Sequence, residues 1–180
     1  EELAVKFIHR LDRNTCGVIA FAKNERAEDA LLAAFRERRA HKIYETVCFH
    51  PFQKRSALLT AYLKKDAQGA RVKIYSAPQR GADEIVTEYF DAENFGELSR
   101  VKVRLHSGKT HQIRAHLAFI GHPVAGDEKY GDEALNKKYA LKRHILVAKE
   151  LSFSFTGMLS YLNGKTFTSS FSAQFPKNEK

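Results

Sequence analysis

The sequence predicts an α+β domain, a mostly antiparallel sheet with a few flanking helices. Three observations lead there. Stretches with a two-residue period recur between residues 41 and 171 and outnumber those with helical spacing. The clearest, residues 98–106, sets Val101, Val103 and Leu105 on one face and Arg100, Lys102, Arg104 and His106 on the other, as a strand with one core face does. No internal repeat, low-complexity tract or Gly/Ser linker divides the 180 residues. They read as a single domain, 1–180, long enough to bury about 70% of its unfolded surface.

In chain order, residues 18–23 read as a buried strand ending at Asn24, a residue suited to cap a helix. Across residues 25–39, Ala27, Ala30, Leu31, Ala34 and Phe35 recur at helical spacing. Glu25 and Glu28 open that helix and Arg36, Arg38 and Arg39 close it, matching its dipole. Residues 41–48 alternate, so Tyr44, Thr46 and Cys48 face away from Ile43, Glu45 and Val47. Weaker strands at 57–63 and 71–76 flank a turn at 65–69, and a strand at 85–90 precedes a turn at Asn94-Phe95-Gly96. Beyond Ser107-Gly108-Lys109, Thr110 is expected to cap a short helix through Ile113, Leu117 and Ile120 to Gly121. Residues 121–131 read as loop, 133–141 as a short polar helix and 144–155 as strand. Leu162-Asn163-Gly164-Lys165 reads as a hairpin turn leading into a strand at 166–171.

Composition narrows the function. A formal charge of +9 and a pI near 9.6 favour a polyanionic partner, nucleic acid above all. No basic amphipathic helix with bulky apolar anchors suggests a membrane surface, and no apolar run approaches the roughly 18 residues of a spanning helix. With no leader in view the chain is expected to be cytoplasmic. Cys16 and Cys48 stand outside any CxxC pattern, so neither a disulfide framework nor a zinc site is suggested. His111 and His116 are five apart, unlike the i, i+4 pair of a zinc helix, and Ser107-Gly108-Lys109-Thr110 lacks the preceding glycine of a phosphate-binding loop. A nucleophilic Cys16 assisted by His9 has no third group to orient it. No metal or cofactor is expected.

The remaining constellation is His9-Arg10-Leu11-Asp12-Arg13-Asn14-Thr15-Cys16-Gly17, then Lys42-Ile43-Tyr44, then residues 108–117 with Gly108, Lys109, Thr110, His111, Gln112 and Arg114. These resemble, in order, the HRLDxxTSG, KxY and G(R/K)THQIRxHL motifs of the RluA family of RNA pseudouridine synthases. Residues 118–131 resemble its AxxGHPxxGDxxYG tail, and residues 143–153 are similar to its RxxLHAxxLxF strand. The resemblance implies a bent antiparallel sheet and isomerisation of uridine to pseudouridine in structured RNA, either rRNA or tRNA, by a monomer without cofactor. It implies that Asp12 is the catalytic carboxylate, Tyr44 the active-site tyrosine and Arg114 the arginine paired with Asp12. Ile145 and Leu146 would then line the apolar wall of the uracil pocket. Arg10, Leu11, Arg13, Thr15, Lys109, His111 and Gln112 are the further candidates for substrate contact.

Physical chemistry suits those roles. The reaction breaks N1–C1′, turns the base and rejoins it through C5, so it needs a carboxylate near C1′ and no electron or phosphate donor. Asp12 attacks C1′ or removes the C2′ proton. Arg114 positions it and offsets its charge. Tyr44 stacks on the base, a contact worth roughly 1–3 kcal/mol in nucleic-acid complexes, and its hydroxyl is a candidate for taking the C5 proton. The arginines ending the first helix and the basic face of 98–106 are candidates for phosphate contact. Cys16, Thr46, Lys109 and Val147 depart from the family pattern, and its upstream KPxG strands and small RNA-binding domain are not in this chain. The chain, which begins at Glu1, is therefore read as N-terminally truncated. Two rivals are a non-catalytic RNA-binding module of the same fold and an Asp-based hydrolase, though no second carboxylate stands in a comparable motif.

Overall fold

The computed structural model describes residues 5–66 and 70–176, so most of the turn expected at 65–69 lies outside the described residues. The elements in chain order are β1 (Lys6–Phe7), β2 (Cys16–Gly17), β3 (Phe21–Ala22), α1 (Glu25–Arg36), β4 (Ala40–Phe49), β5 (Ala57–Lys65) and β6 (Val72–Tyr75). There follow β7 (Asp83–Phe95), β8 (Leu98–Leu105), α2 (Gln112–Phe119), α3 (Glu133–Lys138), β9 (Leu146–Phe153), a single 3-10 turn at Ser160–Leu162 and β10 (Thr166–Thr168). The main sheet runs β10-β9-β4-β8-β7-β5-β6 with antiparallel pairing, and β2 joins β9 in parallel. The α+β class with a mostly antiparallel sheet is thus the architecture the chain adopts. Among the described residues no helix is long and apolar enough to cross a membrane.

Strand β4 lies at the centre because both its faces are apolar. Tyr44 and Cys48 pack with Val101, Val103, Leu146 and the α2 residues Ile113 and Leu117. Val47 and Phe49 pack on the other side with Ala125, Val147 and Ala173. At roughly 1.5–3 kcal/mol for each large apolar side chain buried, these two clusters hold β4, β8 and β9 together. A β-bulge between Ile43 and Tyr44 leaves Lys149 of β9 as the extra residue beside Tyr44. Helix α1 packs Leu31 and Ala34 against Leu151, Phe153, Ile8 and Ala22.

Several boundaries differ from expectation for local reasons. Residues 18–23 do not form one buried strand. Gly17 has φ +118 and a Cβ there would lie 2.2 Å from the carbonyl oxygen of Ala148, so the chain hugs β9 and then leaves it. It resumes as β3, paired with β1. Helix α1 is capped as expected by Asn24, whose Oδ1 accepts from Ala27 N at 2.9 Å, but it ends at Arg36. Arg38 is left-handed with φ 59, and Arg39 N donates to Ala34 O at 2.7 Å, which turns the chain directly into β4. Strand β7 runs on to Phe95, so its turn is Gly96-Glu97 rather than Asn94-Phe95-Gly96. Helix α3 stops at Lys138, short of Leu141, with Ala140 left-handed. Asn163-Gly164 lies near the end of the 154–165 connection that joins the antiparallel strands β9 and β10, but not as a tight two-residue turn: a 3-10 turn precedes it, and the Asn163 amide bonds both N and O of Phe155.

Helix α2 departs most informatively. Thr110 does not cap it; His111, left-handed at φ 54, holds the N-cap position without a side-chain hydrogen bond. Order comes instead from Gln112, whose Oε1 accepts from Ser107 Oγ and Lys109 N, both at 3.0 Å. Its Nε2 donates to Val86 O at 3.2 Å and to Thr87 Oγ1 at 3.0 Å. The C-terminal end closes as expected at Gly121, with His122 N donating to Leu117 O at 2.9 Å.

Two stability predictions follow from these contacts. Gly126 has φ +81 and a Cβ there would sit 2.0 Å from the backbone oxygen of Arg143, so Gly126→Ala should lower the urea-measured stability by at least about 2 kcal/mol. His116, 1% exposed, sits with Nδ1 3.0 Å from the Thr87 hydroxyl, and burial pushes its pKa down to about 4 from 6.5. The unfolded chain then takes up this proton first, so stability is full above pH 6.5 and falls as pH drops toward 4, by up to about 1.4 kcal/mol per unit. Urea titrations at stepped pH should show a shallower acid slope in His116→Gln.

Candidate active site

Three tethers shape the loop between β1 and β2. His9 stacks on Phe35 with ring centroids 4.7 Å apart, and its Nε2 accepts from Ala20 N at 2.9 Å. Burial, then the charge of Lys42, pushes the His9 pKa down to about 4, so the ring is a neutral acceptor. Thr15 N donates to Asp12 O at 2.9 Å, closing a turn, and Thr15 Oγ1 lies 2.9 Å from His144 Nε2. Asp12 is thereby held at the tip of a braced loop.

Arg114, in the first turn of α2 and 5% exposed, meets it from below. Its Nη1 donates to Asp12 Oδ2 at 2.9 Å, while Nε and Nη2 grip both oxygens of Asp127 at 2.6 and 2.8 Å. Asp127, 1% exposed, also accepts from Lys129 N and Tyr130 N, at 2.8 and 3.1 Å. Burial opposes its charge, but the Arg114 hydrogen bonds and the two amides prevail and hold its carboxyl below the ordinary range. Arg114 loses charge stability to burial yet is held above its ordinary pKa by the two aspartates. Its guanidinium also lies 5.4 Å from the Tyr130 ring. Among the described residues Asp12 Oδ1 has no hydrogen-bond partner.

Above this assembly opens a cavity of about 320 Å³, of a size suited to a small ligand (roughly 300–1,000 Å³). Asp12, Tyr44 and Arg114 all line it, as do Arg10, Leu11, Thr15, Lys109, His111, Gln112 and Leu146. Burial, then the nearby charge of Asp12, pushes the Tyr44 pKa up to about 12, so the hydroxyl keeps its proton at neutral pH. Burial lowers the pKa of His111, whose Nδ1 lies 2.9 Å from Tyr130 Oη. Val72 N donates to that same oxygen at 2.8 Å, leaving the tyrosine proton for a neutral His111.

Some expected contacts are corrected by this geometry. Ile145 does not line the cavity: consecutive strand residues face opposite ways, so Leu146 joins Tyr44 while Ile145 packs with Val47, Phe49 and Val147. Val147, where the motif resemblance lapses, lies on that far side too. Arg13 is exposed in the Asp12 turn and outside the cavity. Gln112 borders the cavity, but its amide is fully engaged with the protein and acts as scaffold. Lys109 Nζ pairs with Asp83 at 2.9 Å. The basic face of β8 is matched across the sheet by β7: Arg100 with Glu93, Lys102 with Asp91, and both Arg104 and His106 with Glu88. Its candidacy for phosphate contact weakens accordingly. Asp127, Lys42, Tyr130 and His144 received no role from the sequence. Asp127 and Tyr130 were visible only as letters of the GDxxYG tail, because nothing in local spacing links a loop carboxylate to Arg114.

Comparison with known proteins places this geometry. Residues 1–119 match the family model described as RNA pseudouridylate synthase. The chain belongs to that family. Its RluA-type relatives include an uncharacterized RNA pseudouridine synthase of Mycoplasma pneumoniae, 38% identical over 152 residues that cover 83% of this chain and 46% of that protein. An uncharacterized RNA pseudouridine synthase of Aquifex aeolicus is 36% identical over 134 residues, covering 69% and 39%. Ribosomal large subunit pseudouridine synthase C of Vibrio cholerae is 31% identical over 152 residues, covering 83% and 47%. The chain therefore spans less than half the length of these synthases. A solved structure, human RNA pseudouridylate synthase domain containing 1, superposes with TM-score 0.73 over 94% of this chain and 77% of that one, at 24% identity. That likeness shows the pseudouridylate synthase fold.

The doubly gripped arginine yields a prediction that separates its two partners. Arg114→Met leaves Asp127 buried without its cation and should cost about 3–5 kcal/mol in urea unfolding. Adding Asp127→Asn to that variant should restore part of the loss, whereas adding Asp12→Asn should restore much less, because the Asp12 side chain is 22% exposed and can be hydrated.

Proposed function

We propose that this chain carries the catalytic site of an RNA pseudouridine synthase that isomerises uridine in structured RNA, with ribosomal RNA as the first substrate class to test and tRNA as the second. One observation carries the reading: Asp12, held by Arg114, lines a cavity that Tyr44 and Leu146 also line. Family membership and relatives named as ribosomal large subunit pseudouridine synthases support it. Among the described residues Asp12 is the sole carboxylate lining the cavity, which speaks against a glycosidase that needs two.

A uridine unstacked from the RNA, at a cost of a few kcal/mol, enters with its base against Tyr44 and Leu146. Its C1′ comes to lie beside Asp12 Oδ1, the carboxylate oxygen without a hydrogen-bond partner among the described residues. Asp12 then attacks C1′ or takes the C2′ proton as the N1–C1′ bond breaks. The freed base turns within the cavity until C5 bonds C1′, which displaces the carboxylate or returns to C2′ the proton that Asp12 had received. Arg114 keeps the carboxylate in place throughout and offsets its charge. Tyr44 enters as a neutral phenol, so it holds the base by stacking and receives the C5 proton only while passing its own onward. Residues 1–180 act in this as one catalytic unit.

RNA labelled with tritium at uracil C5 tests the reading. The wild-type protein should release tritium from ribosomal RNA, and Asp12→Asn should slow release by at least about 100-fold without loss of RNA binding. Absence of release by the wild type on ribosomal RNA and tRNA alike would defeat the enzymatic reading. Equal release by both proteins would remove Asp12 from the mechanism.

A further inference from the structure

Beyond Lys42 a second cavity opens, of about 460 Å³, and it shares Phe35, Lys42, Leu105, Gly108 and Lys109 with the first as a common wall. Its lining contains several cations and, among the described residues, no carboxylate. Those cations are not equivalent. Arg104 is paired with Glu88 at 2.8 Å and Lys109 with Asp83 at 2.9 Å. Arg38, exposed just past the end of α1, has no ion-pair partner among the described residues. Lys42 stands on the wall between the cavities with Nζ 5.7 Å from the Phe35 ring, and among the described residues it enters no ion pair or hydrogen bond. A partly buried ammonium without a counter-ion is unfavourable, and burial accordingly lowers its pKa. An anion at the wall supplies what Lys42 lacks.

We propose that the second cavity holds a backbone phosphate of the same RNA strand whose base enters the first, with Lys42 and Arg38 as its counter-ions. This rests on the first cavity receiving a base, as proposed above, and it adds the direction in which the strand leaves, over the C-terminal end of α1. A single strand is the form that fits, because a base lodged in the first cavity has left its stack and the two cavities share a wall.

Fluorescent heptauridylate titrated against the full chain over a series of salt concentrations tests this. Arg38→Gly suits the left-handed backbone at that position, and Lys42→Met retains the apolar stem, so both variants should fold; circular dichroism checks it. Losing this one phosphate contact in the double variant should reduce the slope of log K against log salt by about 0.7, and each single variant by a part of that. A heptauridylate with neutral methylphosphonate linkages should bind all four proteins alike. An unchanged slope in the double variant overturns the proposal, as does an equal loss of affinity for the neutral strand, which would assign these side chains to the base. The tritium assay is independent: normal slope losses without tritium release keep the phosphate groove and discard the reaction.

Discussion

Arg114 must satisfy two carboxylates at once, and most of what surrounds it follows from that demand. A guanidinium buried to this degree is tolerable only with its fork filled, and Asp127 fills it from the side away from the cavity. Asp127 is in turn too deeply buried to stand alone, so the chain from residue 124 to 136 folds around it. Two amides bond its carboxylate, and Asn136 Nδ2 and Gly131 N bond its carbonyl, each at 3.0 Å. What remains of the arginine, one Nη1, reaches outward to Asp12. Asp12 is therefore positioned by a cation whose own orientation is set elsewhere.

The sheet makes this arrangement possible by separating support from chemistry. One face of β4 and β9 is packed by the segment bearing Ala125 and by Ala173, with no group that meets the cavity. The other carries Tyr44 and Leu146 beneath α2. The bulge beside Tyr44 lies where this face meets the cavity, and Thr46 anchors the junction by donating to Ile145 O at 2.7 Å.

Around the Asp12–Arg114 pair several titratable side chains are held in their neutral forms. His9 is neutral down to about pH 4, and Tyr44 stays protonated to about pH 12. His111 is shifted toward its neutral form and shares a proton with Tyr130 rather than adding a charge. The β8 cations are balanced by β7. Lys42 and Arg38 line the second cavity without an ion pair among the described residues, so where such cations stand matters more for a polyanionic strand than the +9 of the whole chain.

The sequence by itself determined the periodic and the locally capped. The alternation through Val101 and Val103, the Asn24 cap and the Gly121 stop are decided by neighbours in the chain, and each is found as read. Motif order also brought Asp12, Tyr44 and Arg114 into one set, and they line one cavity. Tertiary structure alone decided the rest. Thr110 yielded its cap to the Gln112 network because Thr87 and Val86, from another strand, supply partners that the local chain lacks. Ile145 turned away because a strand sends adjacent side chains to opposite faces, and only β4 says which face holds the cavity. Asp127 became the second partner of Arg114, and Glu88 neutralised Arg104, through contacts that close long loops. Such pairings depend on distances in space, and a one-dimensional pattern does not contain them.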